Sequence, residues 1–187
     1  TVVAGSPELA EQLTWWANCL GITGAPFDSY LTLRGVRTLH VRMRQHEESA
    51  HLLANILEEH AGVQRVYYPG LRSHPGHNIA SRQQGGFGGM VSFELRGGPG
   101  AVRAFVERLE FFSLAESLGG VESLVCHPAS MTHAPVAREA LARAGIGENL
   151  VRLSIGLENP EDLVADVLAA LDAASGAAAL TPVVAAV

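Results

Sequence analysis

The stretch Leu150-Val151-Arg152-Leu153-Ser154-Ile155-Gly156, followed by Leu157-Glu158-Asn159-Pro160-Glu161-Asp162-Leu163-Val164-Ala165-Asp166-Val167, decides the fold class. Residues Leu150 to Ile155 form a short apolar run rich in β-branched and aliphatic side chains, which predicts a strand. Gly156 closes it. Pro160 sits where a first helical residue belongs, with Glu161 and Asp162 behind it, so an amphipathic helix is predicted to about Ala174. One residue does not fit a plain strand. Arg152 places a guanidinium among apolar neighbours, which costs free energy unless it is paired. Two readings stay open: an internal salt bridge, or a fork that holds a carboxylate by two hydrogen bonds.

Working back toward the N-terminus, strand and helix signals alternate. Met90 to Leu95 is a well-marked strand, and Val63 to Tyr68, closed by Pro69-Gly70, is another. Pro99 opens a helix to about Leu109, Phe111 to Ala115 is a further strand candidate, and Ala137 to Ala144 is a short helix. Residues 117–132 read as irregular and polar-rich, where sites tend to sit. Gly85-Gly86-Phe87-Gly88-Gly89 reads as a flexible hinge. In the first third, Thr1 to Ala4 reads as a strand end. Ser6 caps a helix with Pro7 at its first position, running to about Leu20 and ending at Gly21. Asp28 is expected to cap a short helix to about Arg34, and the spacing from Val36 to His60 predicts one long helix of the kind that joins two domains. The fold class is α/β, with about four strands and flanking helices. The division expected is residues 1–60, the end of a larger domain plus the linking helix, then a small domain over 61–175 and a disordered tail over 176–187.

Composition narrows the function. Of 187 residues, 48% are hydrophobic, enough for a sizeable core. The net charge is −6, and the arginines are scattered among apolar residues, which argues against nucleic-acid binding. No apolar run approaches the roughly 18 residues that span a bilayer. Cys19 and Cys126 match no metal or redox spacing. All 13 basic residues are arginine, so the chain contains no lysine.

Two histidine motifs fail as metal sites. His46 and His51 in HEESAH are five apart, about 140° round a helix, where a shared ligand face needs four. His74 and His77 flank a Pro-Gly turn. No metal is expected. The glycines at 85–89 precede a strand and so do not form a dinucleotide cradle. By contrast, the segment Leu114-Ala115-Glu116-Ser117-Leu118-Gly119-Gly120-Val121-Glu122-Ser123 puts two carboxylates and two hydroxyls round a Gly-Gly break. A plain loop needs no such density.

The segments PFDSYLTLRGVRTLHVR (26–42), VYYPGLRSHPGHNIASRQQGGFGGMVSFEL (66–95), LAESLGGVESL (114–124), HPASMTHA (127–134) and LVRLSIGLENPEDLVADV (150–167) occur in order. Together they resemble the C-terminal half of the transsulfuration enzymes, the Cys/Met-metabolism family of fold-type I PLP enzymes, and most of all its γ-synthase and γ-lyase branches. The resemblance implies pyridoxal 5′-phosphate as cofactor and a cytoplasmic homotetramer. It implies γ-replacement of an O-acyl-homoserine by cysteine, or alternatively γ-elimination of cystathionine. Arg152 would clamp the substrate carboxylate, and Ser117 would stand beside the cofactor lysine and help place it. Glu116 would act as the γ-type selector, where β-lyases carry an aromatic residue nearby. Thr132 would line the pocket, and Asn18 would reach toward a neighbouring subunit. The Schiff-base lysine, the aspartate on the pyridine nitrogen and the stacking tyrosine lie upstream in the family. This chain therefore carries no catalytic residue of its own, and it is expected to be an inactive fragment whose first helices expose apolar surface. A rival from another class is a non-catalytic assembly or binding module.

Overall fold

In the computed structural model, which describes residues 4–22 and 24–180, the run that begins at Leu150 is strand β5, Leu150–Ser154. It is the middle strand of five. The others are β1, Val63–Tyr67; β2, Met90–Leu95; β3, Ser113–Leu114; and β4, Leu124–Cys126. Their order is β1-β2-β5-β4-β3, with every pairing antiparallel except the short parallel pair β3 and β4. Registry sets Arg152 directly opposite Ser92 on β2 and Cys126 on β4. Because side chains alternate across a strand, Val91, Phe93, Val125, Val151 and Leu153 face one way, while Ser92, Cys126, Arg152 and Ser154 face the other.

The first of these faces is the core. Helix α3, Leu39–Glu59, contributes Ala50, Leu53, Ala54 and Leu57. Helix α5, Gly98–Arg108, adds Ala101, Val102 and Phe105, and packs on α7, Pro160–Leu180, which adds Leu163, Val167, Ala170 and Leu171. The Phe93 and Phe105 rings meet edge to face at 5.5 Å, the arrangement that aromatic quadrupoles favour. Two shorter helices, α4 (His77–Gln83) and α6 (Arg138–Arg143), lie in the connections.

Residues Thr1–His40 and Val41–Val187 form two compact units, so the division falls inside the first turn of α3. The first unit holds α1, Pro7–Leu20, and α2, Pro26–Arg37. Local chemistry sets α1 as the sequence predicts. Ser6 accepts from the Leu9 N–H at 3.2 Å, Pro7 opens the helix, and Gly21 closes it at φ 66°, a conformation open to glycine without strain. Neither helix buries a residue; Trp15, Trp16, Phe27 and Tyr30 are all exposed.

Several expectations need correction. The helix predicted to run unbroken from Val36 to His60 is interrupted at Thr38, whose backbone N–H and hydroxyl both turn back to the Gly35 carbonyl. A threonine hydroxyl can offer the backbone that alternative, and the accepting carbonyl belongs to Gly35, a poor helix former three residues back. Asp28 lies in the first turn of α2, where it complements the helix dipole, and Ala25 takes the cap position. The sheet has five strands because β4 lies inside the segment read as irregular. Its three residues are all buried, so they show no alternation. The strand expected over Phe111 to Ala115 shrinks to Ser113–Leu114. Helix α7 passes the expected end at Ala174 and reaches Leu180, as alanine-rich sequence permits. The strand end expected at residues 1–3, and residues 181–187 of the expected tail, lie outside the described residues.

The glycine run at 85–89 is pinned. The Phe87 N–H donates to Glu47 at 2.8 Å, and the Tyr68 hydroxyl donates to the Gly88 carbonyl at 3.0 Å. A Cβ on Gly89 would lie 2.9 Å from the Cβ of His46, and one on Gly86 would collide with the Glu47 carboxylate. These glycines permit close approach of backbone to α3; they do not serve as a hinge.

Burial, and secondarily the Glu47 carboxylate, holds the Tyr68 hydroxyl well above the usual phenol value of 10.0. A proton held more tightly in the folded state contributes stability that is complete below the unfolded value and lost as pH rises toward the folded one. Conformational stability should therefore fall above about pH 10, and Tyr68→Phe should flatten part of that fall. Urea midpoints measured from neutral to strongly alkaline pH check this. An unchanged alkaline slope in the variant would show that Tyr68 titrates alike in both states.

Candidate functional site

The face of the sheet turned away from the helices carries the half-buried Arg152, flanked in register by Ser92 and Cys126. No carboxylate pairs with its guanidinium among the described residues, so the internal salt bridge is absent there. Its Nη2 donates to the Glu116 carbonyl at 2.9 Å and the Ser117 carbonyl at 3.1 Å. Its Nε is cut off from solvent and meets no acceptor. Buried donors are nearly always satisfied, and the desolvation penalty of an orphan is about 1–3 kcal/mol. The charge of Arg152 is left without a counter-ion among the described residues.

The carbonyls that hold Arg152 belong to the segment between β3 and β4. The side chains of Glu116 and Ser117 themselves are exposed. Gly119 follows at φ 76°, and its N–H donates to the Ser154 hydroxyl at 2.8 Å. Further along, the fully buried Ser123 bonds to Glu158 through both its N–H and its hydroxyl, each at 2.8 Å. The segment thus arches over the open face of β5, tied down at two points. Arg152 stands out in the sequence as a charge in an apolar strand, and Glu116, Ser117 and Ser123 as unusual density. Ser154 and Glu158 carry no such signal, because a serine at a strand end and a glutamate before a helix are ordinary.

The structure brings Arg152, Glu116 and Ser117 together. Thr132 lies in the turns that follow β4, where its hydroxyl bonds the His133 ring at 2.8 Å; no hydrogen bond joins it to the Arg152 cluster among the described residues. Those turns border a cleft of about 670 Å³ lined by His127, Ser130, Val136, Leu141 and Glu148 among others. Asn18 is exposed on α1, in the first unit. The histidines of the rejected motifs have structural partners. His46 Nδ1 bonds the Ile155 carbonyl at 2.7 Å, His51 packs edge-on to Tyr68, and His77 stacks on Phe87. Among the described residues no group of three or more His, Cys, Asp or Glu could hold a metal, and no helix is long and apolar enough to cross a membrane.

The site's residues can be tested against the cofactor that the resemblance implies. With no lysine in the chain, nothing here can anchor pyridoxal 5′-phosphate covalently. What the cluster offers is one guanidinium, seated on two backbone carbonyls and without an acid partner among the described residues.

Comparison with known proteins identifies the family. A family model for Cys/Met-metabolism PLP-dependent enzymes matches residues 1–172. Cystathionine γ-synthase of Escherichia coli (strain K12) is 51% identical over 166 residues, 89% of this chain and 43% of the relative. Cystathionine γ-lyase of Dictyostelium discoideum is 48% identical over 171 residues, 91% of this chain and 44% of the relative. Cystathionine β-lyase of Coxiella burnetii is 50% identical over 170 residues, again 91% and 44%. The crystal structure of cystathionine γ-synthase from Xanthomonas oryzae pv. oryzae with aminoacrylate and cysteine superposes with a TM-score of 0.85 at 60% identity, covering 94% of this chain and 45% of that one. The same enzyme with cystathionine gives the same values. The chain spans less than half the length of these relatives. It is an α/β chain that belongs to the Cys/Met-metabolism family of PLP-dependent enzymes.

Proposed function

We propose that this chain is the substrate-recognising part of a γ-synthase, a fragment inactive by itself, and that Arg152 binds the α-carboxylate of the amino-acid substrate. One observation carries the reading: among the described residues the Arg152 guanidinium has no acid partner, and its buried Nε has no acceptor. An incoming carboxylate supplies both the charge and the acceptors, and it fixes the substrate in one orientation. In this reading Ser117 and Glu116, whose carbonyls seat the arginine, flank the bound substrate; Ser117 helps place the cofactor lysine and Glu116 favours γ-chemistry. Thr132 lines the pocket, and Asn18 serves a neighbouring subunit.

The whole protein would join the sulfur of cysteine to Cγ of an O-acyl-homoserine. The acyl group leaves as a carboxylate, and the thiol proton goes to the medium. Pyridoxal 5′-phosphate, anchored elsewhere in the protein, supplies the electron sink for such chemistry. The 60% identity to a γ-synthase that binds cysteine and cystathionine supports this choice. The γ-lyase reading is supported by the Dictyostelium relative, whose identity is nearly as high. The same proposal includes a cytoplasmic homotetramer, supported by the unburied apolar helices α1 and α2; sedimentation of the whole protein as a tetramer checks it.

Product analysis of the full-length, PLP-loaded protein decides among the branches. Cystathionine formed from O-acyl-homoserine and cysteine supports the synthase. Release of 2-oxobutanoate from cystathionine, without synthesis, marks a γ-lyase, and release of pyruvate marks a β-lyase. No turnover and no PLP absorbance would leave the binding module.

Substitution of Arg152 separates recognition from structure. Removing a charged hydrogen-bond partner of the substrate should raise KM roughly 10- to 100-fold in Arg152→Met. Because no buried acid loses its partner, unfolding free energy should stay within about 1 kcal/mol of wild type, where breaking a buried ion pair costs about 3–5 kcal/mol. Large destabilisation with an unchanged KM would make Arg152 a structural residue.

A further inference from the structure

The arch over β5 is held by a carboxylate that touches neither Arg152 nor the exposed side chains near it. Glu158, four residues beyond the end of β5, accepts the Ser123 N–H with Oε1 and the Ser123 hydroxyl with Oε2, both at 2.8 Å. The same hydroxyl oxygen accepts the Gly156 N–H at 2.8 Å, and the Leu157 N–H donates to the Val121 carbonyl at 2.8 Å. The fit is close. A Cβ on Gly156 would stand 2.6 Å from the Glu122 carbonyl carbon and the Ser123 nitrogen, and would collide with Oε2 of Glu158. At its other end the arch is tied by Gly119 to Ser154, two residues along β5 from Arg152.

These ties matter for Arg152 because the Glu116 and Ser117 carbonyls are its hydrogen-bond acceptors among the described residues. A guanidinium on a long side chain turns freely until acceptors set its plane. Here the acceptors are backbone atoms of the arch, so the position of the arch sets the plane of the guanidinium. We infer that Glu158 is a positioning residue, which through Ser123 holds the arch and thereby aims the Arg152 fork at the substrate carboxylate. The inference rests on the reading of Arg152 as the carboxylate site. It predicts that Glu158 affects substrate recognition from a place the substrate does not touch.

The test uses the full-length PLP-loaded protein with O-acetyl- or O-succinyl-homoserine, whichever the wild type turns over. Glu158→Ala should raise KM roughly tenfold, since a misplaced positioning group acts at a distance, with kcat and PLP absorbance within about twofold of wild type. Glu158→Gln keeps one acceptor for the Ser123 N–H and loses the charge, so its KM should fall between. Ser123→Ala, which removes the shared hydroxyl, should resemble Glu158→Gln and serves if the alanine variant at 158 does not fold. In the Arg152→Met background the Glu158→Ala effect on KM should vanish, because both act through one guanidinium. A KM that stays at the wild-type value while only thermal stability drops would mean that Glu158 merely closes a loop. A full KM effect persisting in the Arg152→Met background would equally overturn the inference. If Arg152→Met alone leaves KM unchanged, the underlying reading of Arg152 has failed, and the inference falls with it.

Discussion

A positive charge set into the middle of an apolar strand is the constraint on which the rest of the structure turns. Arg152 lies between Val151 and Leu153, both fully buried on the core side of the sheet. Strand alternation leaves it no choice but the opposite face. Slipping β5 by one residue against its neighbours would drive the guanidinium into the cluster of Leu53, Phe93, Phe105 and Leu163 and bring two aliphatic residues out. The hydrophobic register of β2, β4 and β5 therefore also fixes which way the charge faces. Core packing and site geometry are here one decision.

How that charge is satisfied explains the arch. An acid supplied from within would neutralise the guanidinium and occupy the donors that a ligand needs. Backbone carbonyls of Glu116 and Ser117 instead orient it and leave its charge standing. The end of β5 is tied from the other side as well. His46 on α3 bonds the Ile155 and Gly156 carbonyls, and the Ile155 N–H donates to the Gly89 carbonyl. The pinned glycine run thus joins the same assembly, and close approach at Gly89 and Gly156 is what lets backbone reach backbone there.

What could be read in the sequence follows from which groups carry residue identity. Helix α1 was legible through Ser6, Pro7 and Gly21; β2 and β5 through their apolar runs; and α7 through Pro160 and its acidic first turn. Strand β4 was not, since three buried residues show no period, and the break at Thr38 was not, since it falls inside an otherwise helical spacing. Arg152 stood out because a charge in an apolar strand is a conflict that something must resolve. The resolution was hidden, because it uses the main-chain oxygens of Glu116 and Ser117, and every residue has one. The side chains that drew notice in that segment are exposed, while the work of seating the arginine falls to the backbone behind them. Ser154 and Glu158 act on backbone N–H groups across 35 residues of sequence, a pairing that only the folded chain reveals.

The absence of lysine gives this arrangement its meaning. If Arg152 is the carboxylate site proposed above, then in a chain without lysine the two halves of the chemistry are separated along the polypeptide. In the proposed reading, recognition of the α-carboxylate belongs to a rigid sheet whose core needs nothing from the cofactor. The covalent step belongs to residues outside this chain. The chain is 51, 48 and 50% identical to a γ-synthase, a γ-lyase and a β-lyase, so overall identity does not separate the three reactions. In the proposed reading a carboxylate clamp would not separate them either, because each substrate is an amino acid with an α-carboxylate. In that reading the choice lies in groups that meet the substrate beyond its carboxylate, and Glu116 and Ser117, whose carbonyls seat the arginine, are the proposed candidates in this chain.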